Sequence, residues 1–266
     1  MSEVIHTDPT TISNMAKSVE DEPKKSITTV PPSNAEVILP GGFLKDDGSL
    51  IKYAEVRELT GLDEEAISKA GSVGRALSAM LQRGLVSIGQ EPVNKNDLDK
   101  LLSGDRDAIL LGIRRVTFGD VVEYSFPCPE CRELLDVAVN LRTDIPVSEL
   151  EDPINDRVFT YVSASKGVIE LELPTGSTQK KLIENSEKTM SELNSILLAS
   201  CIKSINGIPS SGLTSALTLG MNDREKMISE ILKRNPGPRL SEVSTTCEAC
   251  GENISLPMSL SELFRL

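Results

Sequence analysis

The chain has 266 residues, 39% of them apolar, which is enough for two modest cores, although aromatic residues are scarce and tryptophan is missing. Forty acidic against 28 basic residues give a net charge of −12, which argues against a general nucleic-acid binder, because that function needs a basic stripe to displace phosphate counterions. The single histidine, His6, sits in a polar leading segment and so excludes a histidine-based triad, a histidine acid–base pair and a histidine-ligated catalytic metal.

In chain order, residues 1–34 are rich in Ser, Thr, Pro, Lys and acidic side chains, which predicts a disordered tail that gains order only on assembly. The start is acidic and polar, unlike a secretory signal, and no run of about 18 apolar residues offers a membrane span. From Ala35 two strand-like runs flank Asp46-Asp47-Gly48, the signature of an opening β-hairpin. Thr60 suits the N-cap of a helix over 62–69, with Asp63, Glu64 and Glu65 in the first turn, where the dipole favours negative charge. A second helix over 73–83 carries Val73, Leu77, Met80 and Leu81 on one stripe, and GLVSIGQEPV follows as a short strand and turn. Asn96 is placed to cap a short helix through Leu102. Ser103-Gly104-Asp105 opens another from about Arg106 to Arg115, whose Arg114 and Arg115 suit its C-terminal dipole. Residues 117–120 then turn into VVEYSFP, a strand that delivers Cys128.

Farther on, FTYVSA (159–164) and GVIELELP (167–174) predict an antiparallel pair with Ile169, Leu171 and Leu173 on one face and Val168, Glu170 and Glu172 on the other. One helix is expected over 178–202, burying Leu182, Met190, Leu193, Leu197 and Leu198. INGIP reads as a turn beside a short strand. A final helix runs from Met221 to Lys233 on a stripe of Met227, Ile228, Ile231 and Leu232, and Asn235-Pro236-Gly237-Pro238 stops it. Residues 239–246 return as a strand.

The chemistry concentrates in four cysteines. Cys128 and Cys131 form one Cys-x-x-Cys knuckle, Cys247 and Cys250 another, and two such turns supply the tetrahedral all-sulfur shell of one structural zinc ion. Their flanks match: Leu135, Val137, Val139 and Leu141 stand at the same offsets from Cys128 as Ile254, Leu256, Met258 and Leu260 do from Cys247. Period-two alternation predicts a half-buried strand after each knuckle, so the two units would face each other as a zinc ribbon split by a long insertion. The competing readings are two independent cysteine pairs, a redox dithiol or coincidence. A redox Cys-x-x-Cys usually opens a helix, and neither knuckle is followed by a helical pattern. Paired cysteines in a reducing cytosol favour metal over a disulfide. Cys201, alone in the apolar run SILLASCI, reads as a core residue.

Catalytic motifs are lacking: there is no P-loop and no G-x-G-x-x-G, and Asp105, Asp107 and Asp120 read as solvated or capping carboxylates. The chain is therefore expected not to be an enzyme.

The ordered segments ILPGGFLKDDGSLIKYAEVRELTGLDEE, GDRDAILLGIRRVTFGD, a knuckle leading to a strand, ELPTG, and a closing knuckle near the C-terminus resemble the T-even-phage-type baseplate hub assembly protein family. That family belongs to contractile-tailed phages and contractile injection systems. The resemblance runs from about residue 36 to 266. It implies a non-enzymatic chaperone or minor structural component of the baseplate hub, with partners among hub, spike and tape-measure proteins. It also implies a place in the host cytoplasm during assembly and in the virion tail baseplate; the acidic charge balance and the lack of a long apolar run predict no nucleic-acid or membrane partner.

The expected architecture is α+β, with a tail (1–34), an N-terminal α+β domain (35–118), a split ribbon (119–145 and 239–266) and a mostly helical inserted domain (146–238). Two other functions compete with this reading. A zinc-ribbon nucleic-acid-binding or transcription-related factor would show tight, salt-dependent binding. A thiol redox enzyme would be zinc-free with a low-pKa cysteine.

Overall fold

Strand β1 (Asn34–Leu44) and strand β2 (Leu50–Arg57) pair antiparallel around the Asp-Asp-Gly turn, from Asn34 opposite Arg57 to Leu44 opposite Leu50. The computed structural model describes residues 34–266. The expected tail, apart from Asn34, and His6 lie outside the described residues. The pairing slips between Ile38 and Phe43, where Leu-Pro-Gly-Gly forms a bulge; proline lacks the N–H that a regular ladder would require there. Strands β3 (Leu85–Ile88) and β4 (Glu91–Pro92) complete a sheet of order β1-β2-β3-β4.

Helices α1 (Gly61–Ile67), α2 (Val73–Gly84), α3 (Lys95–Lys100) and α4 (Ser103–Phe118) flank this sheet. Val37, Leu39, Val56, Met80, Leu81, Ile109 and Ile113 form the heart of the first core. Of the expected α2 stripe, Val73 is exposed and Ala76 is buried instead. Asn94 caps α3, accepting from the N–H groups of Asn96 and Asp97, which corrects the assignment of that role to Asn96. α4 is longer than expected and buries residues around more than one face, as befits a helix enclosed by neighbours.

Asp63 does more than complement a dipole. Its carboxylate accepts from the Thr60 N–H and hydroxyl and pairs with Arg57 at 2.8 Å and Arg83 at 3.0 Å. The Arg57 contact, aided by Thr60 and Arg83, holds its pKa well below the usual carboxylate range although burial opposes this. A depressed carboxylate contributes stability that is present above its unfolded pKa of about 4 and is lost as pH falls below it. Asp63→Asn is expected to destabilise by roughly 2–4 kcal/mol at pH 7, with the deficit against wild type shrinking in acid; urea titrations at several pH values would measure it.

Strands β5 (Val121–Pro127) and β6 (Leu134–Asn140) form a hairpin, as do β13 (Ser244–Thr246) and β14 (Asn253–Ser255). Between them lie β7 (Val147–Ser148), paired with β12 (Gly237–Pro238), and a sheet of order β11-β10-β9-β8 built from β8 (Val158–Ser163), β9 (Gly167–Glu172), β10 (Ile202–Ile205) and β11 (Ile208–Pro209). Ile169, Leu171 and Leu173 are buried, as the alternation demands.

The expected single helix over 178–202 is two: α5 (Gly176–Glu184) and α6 (Met190–Cys201). Thr189 restarts the chain with a capping box to Glu192, and Met190 is exposed where burial was expected. Cys201 ends inside the second core with Leu198, Met227 and Ile231, where burial pushes its thiol up to about 12. Helix α7 (Leu213–Leu217) was not anticipated; α8 (Met221–Arg234) was, although Leu232 is exposed. Residues 240–242 form a 3-10 turn, so the returning strand is only β13. α8 is not the last helix: α9 (Leu260–Leu263) follows, and buried Arg114 donates from Nε to the Leu263 carbonyl at 2.7 Å, tying the chain end to α4.

Asp105 is not a solvated cap. It is fully buried, accepts from the Gly41 N–H at 2.7 Å, and leaves Oδ2 without a hydrogen-bond partner among the described residues. Burial pushes it up to about 7 against the Gly41 N–H and the nearby Arg157 charge. A raised carboxylate favours the fold below its unfolded pKa, and that contribution is lost as pH rises through the folded pKa. Stability should therefore decline between pH 4 and 7, by roughly 4 kcal/mol from Asp105, with Asp107, raised to about 6 by burial, adding to it. Asp105→Asn should flatten most of that decline in denaturant titrations, and an unchanged slope would refute the assignment.

Candidate metal centre

The four cysteines come from the tips of the β5–β6 and β13–β14 hairpins, which are built alike. The Cys128 N–H donates to the Glu133 carbonyl and the Arg132 N–H to the Cys128 carbonyl, at 2.8 and 2.9 Å; the Cys247 N–H donates to the Glu252 carbonyl and the Gly251 N–H to the Cys247 carbonyl, both at 2.8 Å. Both turns place the residue after the second cysteine at positive φ, Arg132 at 63° and Gly251 at 77°. Glycine adopts that region freely and arginine does so at some cost. The roles of Arg132 and Gly251 were not read from the sequence, although a signal was present: both knuckles continue as Cys-x-Glu.

These turns bring all four sulfur atoms within 4.8 Å of one another. Cys128 and Cys250 lie 3.7 Å apart, and so do Cys131 and Cys247, which stand 116 positions apart in sequence. A tetrahedral ion with metal–sulfur bonds of about 2.3 Å requires sulfur–sulfur edges of about 3.8 Å, so the donor set and its spacing fit one such ion. Cys128 and Cys247 are buried and Cys131 and Cys250 exposed. The buried pair packs with Ile254, Phe126 and Leu135, so each knuckle is anchored on its own first cysteine.

Backbone N–H groups aim at the sulfurs. The Cys131 N–H leads in lowering the Cys128 thiol to about 7. Cys250 is pushed up to about 12 although the Glu252 N–H lowers it, because local desolvation within the cluster and the sulfurs of Cys247, Cys131 and Cys128 oppose a further negative charge. Four thiolates at this spacing repel one another, and a divalent cation is what relieves the repulsion.

The eight flanking apolar residues lie where the matched offsets require. Val139, Leu141, Leu256 and Met258 are buried in one core cluster that also holds Leu111, with Val137 and Leu260 packed against it, while Ile254 and Leu135 lie beside the sulfurs. The second flank is a strand only to Ser255, its later residues reaching the core through loop and α9. Of the other carboxylates, Asp120 bridges Arg115 and Arg142 at the surface.

The fold and this site define an α+β protein with a four-cysteine centre assembled by two hairpins distant in sequence. Over residues 75–211, just over half of the chain, it matches the T4 bacteriophage base plate protein family, and it belongs to that family. No curated protein and no solved structure gives a significant match. Among the described residues no helix is long and apolar enough to cross a membrane.

Proposed function

We propose that this chain is a non-enzymatic structural or assembly component of the hub of a contractile-tail baseplate, and that Cys128, Cys131, Cys247 and Cys250 hold one structural zinc ion. The observation that carries the reading is membership of the base plate protein family, joined to a sulfur cluster of tetrahedral dimensions. Residues 119–145 and 239–266 act as a split zinc ribbon that locks the two ends of an inserted domain, 146–238, onto an N-terminal domain, 35–118. A closed four-thiolate shell leaves no coordination position for substrate, so the ion serves folding and not reaction. The partners are other hub, spike or tape-measure proteins. The protein acts in the host cytoplasm during assembly and resides in the tail baseplate. A net charge of −12 disfavours the nucleic-acid-binding alternative.

Elemental analysis of purified full-length protein tests the metal, with one zinc per chain expected. Co-purification with individually expressed baseplate proteins tests the role. Zinc-free folded protein would remove the first half of the reading, and failure to associate with any hub, spike or tape-measure protein would remove the second.

A further inference from the structure

A cleft of about 210 Å³ opens between α2, α3 and α5. At its base lies Arg106, only 7% exposed. Its Nε donates to the Gln179 side chain at 2.5 Å and its Nη1 to the Leu98 carbonyl at 2.8 Å; Nη2 makes no hydrogen bond to a described residue. Arg75, Lys95 and Lys180 stand at the rim. Among the described residues none of the four cations forms an ion pair. Asp99 and Glu184 share the lining and do not reach ion-pair distance. A guanidinium this buried normally has a carboxylate partner, since a desolvated, unpaired charge is costly. Here the chain supplies two neutral acceptors at hydrogen-bond distance, while the Asp107 and Asp99 carboxylates favour the charge from farther off without bonding to it, and Arg106 lines the cleft.

A second cavity of about 220 Å³ continues from the first, sharing Ser78, Arg106 and Ile183, and is lined by Leu77, Leu110 and Leu182, with Asp107 at one side. The groove is thus basic at one end and apolar at the other. We infer that it is a docking site for an acidic–apolar peptide segment of a partner protein, a carboxylate seating on Arg106 and the following apolar side chain between Leu77 and Ile183. The cations are distributed over α2, α3, α4 and α5, which suits several carboxylates along a peptide better than one small anion. Only the identity of that partner as a baseplate protein rests on the function proposed above; the site itself does not depend on the zinc ion.

The test is an NMR titration of the full-length chain, following the Arg106 Nε–H resonance with three probes: acetyl-Glu-Glu-Leu-Leu-amide, its Gln-Gln-Leu-Leu counterpart, and inorganic phosphate. The acidic peptide is expected to give a saturable shift at least tenfold tighter than either other probe. Lys95→Gln with Lys180→Gln, both exposed positions that leave Arg106 and the core intact, should weaken it at least tenfold. No saturable shift, equal binding of the Gln peptide, phosphate binding as tight as the acidic peptide, or indifference to the double substitution would each overturn the proposal. Because the probes are synthetic, these outcomes are independent of whether the chain associates with baseplate proteins.

Discussion

Cys247→Ser is expected to abolish metal binding, taking the zinc content from one per chain to none, and to unfold both ribbon hairpins. Cys247 is fully buried, and its sulfur lies 3.7 Å from that of Cys131. Structural zinc in small domains contributes roughly 10–16 kcal/mol, comparable with or larger than the roughly 5–15 kcal/mol that stabilises a whole domain. Each hairpin has only two strands, and an isolated two-stranded hairpin is marginal in water. Hydrogen exchange should therefore lose protection over 121–140 and 244–258, while the core of Ile169, Leu198, Met227 and Ile231 keeps its own. A chelator acting on the wild type should reproduce the pattern. Cys201→Ser provides the contrast: it buries a hydroxyl in an apolar core at a cost of about 1–3 kcal/mol and should leave the zinc content at one. Retention of zinc by Cys247→Ser, or unchanged exchange in the ribbon, would mean that the sulfur cluster is not a metal shell.

The convergence of the four cysteines was legible because its information is repeated. Two knuckles with the same spacing, followed by apolar residues at the same offsets, identify each other across the intervening chain without any knowledge of the fold between them. The opening hairpin was equally plain, since its turn residues lie beside the strands they join. The break between α5 and α6 was missed for a different reason. Residues 185–189 include Glu187 and Lys188, good helix formers, so helical propensity argues for continuity, whereas the structure restarts the helix at the Thr189–Glu192 capping box. Asp105 was beyond local inference altogether. Following Ser-Gly at the start of a helix, it has the look of a capping residue, and its burial depends on the Gly41 N–H, 64 positions away. The cleft around Arg106 is assembled in the same way, from residues of four helices that no sequence window contains together.

The same convergence makes Gly104→Ala the other substitution with a large expected effect. A Cβ at Gly104 would lie 1.3 Å from the Pro236 carbonyl oxygen and 2.4 Å from its carbonyl carbon. The obstacle is backbone, so no rotamer change relieves it, and α4 must separate from the 236–237 segment. Gly237 faces back, the position of a Cβ there falling 2.8 Å from the Gly104 Cα. Any separation also strains what is packed around this crossing: the Ser103 hydroxyl bond to the Asn235 side chain at 3.0 Å, the Gly41–Asp105 bond, and the small core of Leu102, Leu150 and Leu173. Forced overpacking typically costs about 1–3 kcal/mol when side chains can yield; with backbone on both sides we expect about 4 kcal/mol or more, which at this chain length lowers Tm by roughly 8–16 °C. Gly61→Ala is the matched control, because no atom lies within 4 Å of its Cβ position, and its Tm should stay within a few degrees of wild type. Because 236–237 leads directly into the returning arm of the ribbon, Gly104→Ala should also raise exchange in 244–258 without lowering the zinc content. Comparable Tm values for the two alanine variants would show that α4 and this segment can part without loss, and that the glycine crossing does not hold the ribbon to the helical core.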